Sequence, residues 1–132
     1  MSITPRHING PACALCDLKL GRVHPFLAGW ARSLRAERTD VHVSWGHRDE
    51  AAQNDAVARG ASQEAWPTSL HNKDPSWAVD LFQIDGNGNG LWNSQYMRAI
   101  DAENVKNGIK VLWGGNYTGP FKDFDHFYIK TL

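Results

Sequence analysis

Apolar positions along the chain fall into segments of two distinct periods. Between residues 25 and 38, Phe26, Leu27, Trp30 and Leu34 recur at helical spacing while Arg32, Arg35 and Glu37 fall on the other face, which predicts a helix packed by its aromatic and aliphatic stripe. Val41, Val43 and Trp45 then alternate with Asp40, His42 and Ser44, the period of a half-buried strand that delivers Arg48 just past its end. A helix over 49–59 stops at Gly60, a residue suited to a C-terminal cap. Residues 77–84 read as a strand and 85–90 as the turn after it. A further helix over 93–107 ends at Gly108, and 109–113 and 127–130 read as short strands. Helices followed by a small, mainly antiparallel sheet predict an α+β fold.

Length and charge narrow the classes. The 132 residues suit one domain, and a chain of this size buries about two thirds of its unfolded surface without disulfides. Six tryptophans and five phenylalanines supply large apolar groups, and a formal net charge of zero argues against nucleic-acid binding. No run of 18 apolar residues predicts a membrane span, and the start of the chain, Met1-Ser2-Ile3-Thr4-Pro5-Arg6-His7, lacks the apolar stretch of a secretory signal. A monomer made in the cytoplasm is the expectation. No repeat, linker or low-complexity segment is visible.

The chemistry concentrates in the second half. Asp80 is a lone acid among Ala78, Val79, Leu81 and Phe82, and a buried carboxylate is costly unless it is paired or coordinates a metal. It could simply cap a turn or pair with Arg48. His71 ends a polar loop ahead of that stretch, and His126 opens another apolar strand. Taken together, two imidazoles and a carboxylate make a three-ligand set that leaves the fourth position of tetrahedral zinc open to water, as catalytic sites do.

Five segments carry a resemblance: Gly46-His47-Arg48 with Gln53, Ser69-Leu70-His71, Ala78-Val79-Asp80-Leu81, Trp113-Gly114-Gly115-Asn116-Tyr117, and Asp123 through His126-Phe127. In type, order and approximate spacing the chain resembles the zinc D-Ala-D-Ala carboxypeptidases and dipeptidases, and within that group most of all the L-alanyl-D-glutamate endopeptidase branch common among phage endolysins. The resemblance covers roughly 24–130, so residues 1–23 read as an N-terminal extension and 24–132 as the catalytic core. Two departures stand out. His71 and Asp80 are nine positions apart where the family usually has seven, and the intervening Asp74-Pro75-Ser76 suggests a longer loop. Asp125 stands where the family often has proline before its last histidine.

The resemblance implies one catalytic zinc held by His71, Asp80 and His126, with Asp123 as the acid that moves protons. Asp125 has the weaker claim, since neighbours in an extended segment point to opposite faces. Arg48 holds the position of a guanidinium that stabilises an oxyanion, its plain alternative being a surface salt bridge with Asp49 or Glu50. Ser69 is placed to orient a ligand or bind substrate, and Trp113, Gly114 and Gly115 to wall the cleft. The implied substrate is the peptidoglycan stem peptide, cut between L-alanine and D-glutamate by an endolysin that reaches the wall after release through a holin. The other readings are a D-alanyl-D-alanine carboxypeptidase or dipeptidase, and a phage structural domain that binds wall peptide without cutting it.

Two further motifs are weighed. Asp85, Asn87, Asn89 and Gly90 match the first half of an EF-hand Ca2+ loop, but the twelfth position is Tyr96 rather than Glu, and the same residues suit a plain hairpin turn. Cys13 and Cys16, with His7 and His24 near in sequence, suggest a small structural zinc site, but the regular paired spacing of such sites is missing and two ordinary thiols are the expectation.

Overall fold

The computed structural model describes residues 7–10 and 12–130. The segment read for a secretory signal, apart from His7, lies outside them. Two helices come first, α1 (Ala14–Leu20) and α2 (Pro25–Glu37), followed by strand β1 (Val41–Trp45) and helix α3 (Glu50–Ala58). After a 3-10 turn (Leu70–Asn72) come β2 (Ala78–Ile84), β3 (Gly90–Leu91), α4 (Ser94–Lys106), β4 (Leu112–Trp113), a second 3-10 turn (Gly114–Asn116) and β5 (His126–Tyr128). The sheet runs β1-β2-β5-β4, with β3 paired to β2, and every pairing is antiparallel. The chain is the α+β domain that its periodicity predicts.

Local chemistry sets the boundaries. In α2, Pro25 occupies the first turn, where its missing N–H costs nothing, and His24 Nδ1 accepts the N–H of Phe26 at 3.2 Å. Asp49 and Asn93 cap α3 and α4 through their side chains, and Gly60 and Gly108 follow those helices with φ of +75° and +67°. Residues 85–90 form the turn between β2 and β3, in which Asp85 Oδ1 accepts the N–H groups of Asn87 and Asn89, each at 2.9 Å.

Four details differ from the periodic reading. The burial face of α2 is Leu27, Ala28, Ala31 and Leu34, whereas Phe26 is 43% exposed. Arg35, expected on the outer face, is only 6% exposed: its Nε donates to Val41 O at 2.6 Å and its Nη2 to Gly10 O at 3.1 Å, so backbone carbonyls substitute for water. Only Leu112–Trp113 of the 109–113 segment is strand. In the last strand, pairing begins at His126 and not at Phe127.

Helix α1 has no forerunner in the periodic reading, being seven residues long. Its Cys16 and Leu20, with Cys13 and Val23, join Leu27, Val43, Val79, Met97, Ile100, Trp113, Phe127 and Ile129 in one core.

The burial of Arg35 generates a stability prediction. Arg35→Ala leaves the Val41 and Gly10 carbonyls without their donor and should cost about 1–3 kcal/mol, whereas Arg32→Ala on the exposed face should stay within about 0.5 kcal/mol. Urea denaturation of the two variants measures the contrast, and equal midpoints would show that the buried guanidinium contributes nothing.

Candidate functional site

The cleft is assembled from three chain segments around one carboxylate. Asp80 lies mid-strand in β2, and the β2–β5 register sets it directly opposite His126. His71 comes from the 3-10 turn before β2, where Ser69 Oγ accepts the His71 N–H at 3.2 Å and the Ser69 N–H donates to Asn72 Oδ1 at 3.1 Å. The nine-position interval between His71 and Asp80 is taken up by residues 73–77, where the Trp77 N–H donates to Leu70 O at 3.0 Å and the Ser76 N–H to Arg22 O at 2.7 Å. Arg48 follows β1 past Gly46 and is held by its own N–H donating to His71 O at 2.8 Å. Gly46 must be glycine: a Cβ there would lie 2.2 Å from Lys19 O.

At the centre, Asp80 Oδ1 is 3.1 Å from His71 Nε2 and 3.1 Å from His126 Nδ1, while Oδ2 accepts from Arg48 Nη2 at 3.0 Å. The expected pairing of Asp80 with Arg48 is present, on the carboxylate whose other oxygen faces the two histidines. Arg48 is buried, with Nη1 3.4 Å from Gln53 Oε1 and its guanidinium over the Trp45 ring, so it is not a surface ion pair with Asp49 or Glu50. Gln53 is itself clamped, its Nε2 donating to Glu64 O at 2.6 Å and its Oε1 accepting from Asn72 Nδ2 at 3.1 Å.

The His71 tautomer follows from its partner. Its Nδ1 lies 2.6 Å from Gly46 O, which can only accept, so Nδ1 carries a hydrogen and, in the neutral ring, Nε2 turns a lone pair toward Asp80 Oδ1. Two lone pairs 3.1 Å apart need a proton or a cation between them. With His126 Nδ1 on the same carboxylate oxygen, and the three donor atoms all within 4.8 Å of one another, the residues fit a divalent cation.

Electrostatics separates the two candidate acids. Burial alone would push the Asp80 carboxyl up, but positive charge at the facing imidazoles, His71 first and His126 with it, holds it well below the usual carboxylate range. Asp123 is pushed up, first by burial and then by the Asp80 charge. It lies 3.9 Å from His126 Nδ1 and opens on the cleft. Burial, followed by the charges of Asp80 and Asp123, pushes Asp125 up to about 7. Asp125 lines an adjoining recess with Trp92, Phe121 and Phe124, which Asp123 also borders, and does not line the cleft. Both acids are pushed up, and position decides between them: Asp123 borders the cleft and Asp125 does not.

The cleft, about 500 Å3, is lined by Arg48, Ser69, His71, Asp123 and His126, together with Tyr117, Phe121, Tyr128 and Lys130. The sequence reading gives none of these last four a site role, although Tyr117 closes its fourth motif segment. Tyr128 was recoverable, since it lies two residues beyond His126 on the same face of a strand, where the rings stack at 5.3 Å. Tyr117 comes from an irregular segment, and burial pushes its hydroxyl pKa up, so it stays a donor. Trp113, Gly114 and Gly115 are not in the lining. Trp113 is 1% exposed and its indole N–H donates to Phe124 O at 2.8 Å, which places it in the core. Gly114 lets the Asp123 segment come close, because a Cβ there would lie 2.4 Å from Asp123 O, and a Cβ at Gly115 would strike the Trp113 ring at 2.3 Å.

No protein-family model and no curated protein sequence matches the chain. Among solved structures, the fold is similar to the crystal structure of the Serratia marcescens L-Ala D-Glu endopeptidase ChiX, with a TM-score of 0.69 and 29% sequence identity over 94% of this chain and 91% of that one.

Proposed function

We propose that the protein is a zinc-dependent endopeptidase of the bacterial peptidoglycan stem peptide, cutting between L-alanine and D-glutamate and serving as a phage endolysin. The observation that carries this reading is the convergence of His71 Nε2, Asp80 Oδ1 and His126 Nδ1 beside an open cleft that also holds Asp123. Likeness to ChiX supports the choice of bond, and the resemblance of the five motif segments supports the endolysin role. His71, Asp80 and His126 would hold the ion, which when bound supplies Lewis-acid polarisation of the scissile carbonyl and a water acidic enough to attack it at neutral pH.

The chain's own groups perform the remaining work. Asp123 takes the proton of the attacking water and returns it to the leaving amine, a task for which a raised carboxyl pKa brings acid and base forms closer in energy. Arg48 fixes Asp80 through Nη2 and puts positive charge beside the carbonyl oxygen as negative charge develops there. Ser69 fixes the His71 turn, and Lys130 gives the cleft a cation suited to an acidic peptide.

The decisive experiment is digestion of purified peptidoglycan with mass spectrometry of the new termini. New D-glutamyl amino termini are expected, and none with His126→Ala, which should also lose the cleft's zinc. Release of terminal D-alanine instead would mean a carboxypeptidase, and an unchanged wall a binding domain.

Asp123→Asn should keep fold and metal while turnover falls by several orders of magnitude, and Asp125→Asn, facing the other recess, should be milder. The reverse ranking in kcat would move the proton-transfer role to Asp125.

For Arg48→Lys, rates at saturating zinc separate its two roles. Loss of Asp80 orientation alone would weaken metal affinity by about 10- to 100-fold and be restored by excess zinc. We expect a residual deficit of about 10²-fold in kcat that no zinc concentration repairs, since Lys lacks the second donor of the fork.

A further inference from the structure

The two cysteines meet two histidines that do not line the cleft. Cys13 caps α1 and Cys16 lies in its first turn, His42 is the second residue of β1, and His7 lies ahead of α1. His24, the other histidine near the cysteines in sequence, is occupied in capping α2. Cys16 Sγ is 3.4 Å from His7 Nδ1 and 3.3 Å from His42 Nδ1, Cys13 Sγ is 3.6 Å from His7 Nδ1, and all four ligand atoms lie within 4.8 Å of one another. Tetrahedral zinc, with Zn–S near 2.3 Å and Zn–N near 2.0 Å, sets sulfur and nitrogen ligands about 3.5 Å apart.

The surroundings orient these atoms inward. Asn9 Nδ2 donates to Ile84 O at 3.0 Å, which fixes the amide so that its Oδ1 accepts from His42 Nε2 at 2.6 Å. With its hydrogen on Nε2, neutral His42 turns the Nδ1 lone pair toward Cys16. Both sulfurs accept backbone N–H groups at 3.4 Å, Cys13 from Cys16 and Cys16 from Val43, contacts that fix the positions of the two sulfurs. Both cysteines are free, and together with His42 they are buried.

We propose that His7, Cys13, Cys16 and His42 form a closed structural Zn2+ site, distinct from the cleft and independent of its chemistry. Four protein ligands leave no open position, and binding releases the thiol protons to water. The ion ties the segment before α1, and α1 itself, to β1. Helix α1 in turn backs Gly46, whose carbonyl orients His71, so the site braces one wall of the cleft from behind.

Cobalt substitution tests this on the intact protein. Thiolate ligation of Co2+ gives a near-ultraviolet charge-transfer band that a site of two imidazoles and a carboxylate cannot produce. The band is expected in the wild type at one thiolate-bound ion per chain. It should persist in His126→Ala, whose zinc content should fall from two ions to one, and vanish in the Cys13→Ser/Cys16→Ser double variant. Absence of the band from folded, Co2+-loaded wild type would overturn the proposal, as would a Cys13–Cys16 disulfide in the unreduced protein. Either result would leave the cleft's metal untouched, because the band reports sulfur alone.

Discussion

The pairing of β2 with β5 sets a carboxylate, Asp80, opposite His126 between buried apolar neighbours, and the cleft follows from having to house it. Val79 and Leu81 face the core, so the strand cannot slip by one residue without turning Asp80 inward and Val79 outward. Left alone, a carboxylate at that depth would neutralise itself or destabilise the strand. Three segments answer it: the turn carrying His71, the end of β1 carrying Arg48, and β5 carrying His126. One charge therefore gathers side chains up to 78 positions apart in sequence, from Arg48 to His126.

How much of this was legible follows from what each element depends on. Helix α2, strand β1 and helix α4 are long enough for period and caps to show, and their sequence boundaries hold to within a residue or so. Helix α1 is too short for a period, and its cap is a cysteine rather than one of the usual oxygen-bearing residues. Single-residue outcomes were less accessible. Arg35 and Arg32 look alike in the pattern, but only Arg35 finds chain carbonyls within reach, a fact of tertiary placement. Trp113 is similar: an indole beside two glycines suits a cleft wall or a core equally, and the acceptor at Phe124 O settles it for the core.

Within the site, the motif residues His71, His126, Arg48, Ser69 and Asp123 line one cleft and Asp80 joins three of them from behind it, because each stands at a position that strand register or a short turn controls. Tyr117, Phe121 and Lys130 come from irregular or terminal segments, where no period tells which side chain turns inward. The choice between Asp123 and Asp125 shows the same limit. Two positions apart, they would share a face in an extended strand, and it is the turn at residues 124–125 ahead of β5 that leaves only Asp123 on the cleft.

The two ligand clusters are related through β1. His42 stands near the start of that strand and Gly46 just after its end, with Val43 packed between them in the core. A short strand fixed on both sides by pairing and packing transmits position well, because a close-packed core has discrete arrangements rather than a soft continuum. Their donor chemistries keep the two clusters apart in role. Around a tetrahedral ion, two thiolates and two imidazoles would fill every position, whereas two imidazoles and a carboxylate would leave one free beside the cleft. With an ion bound as proposed, the closed site would serve the open one mechanically: it would hold α1 against Gly46, Gly46 O holds His71 Nδ1, and Nε2 is thereby aimed at Asp80.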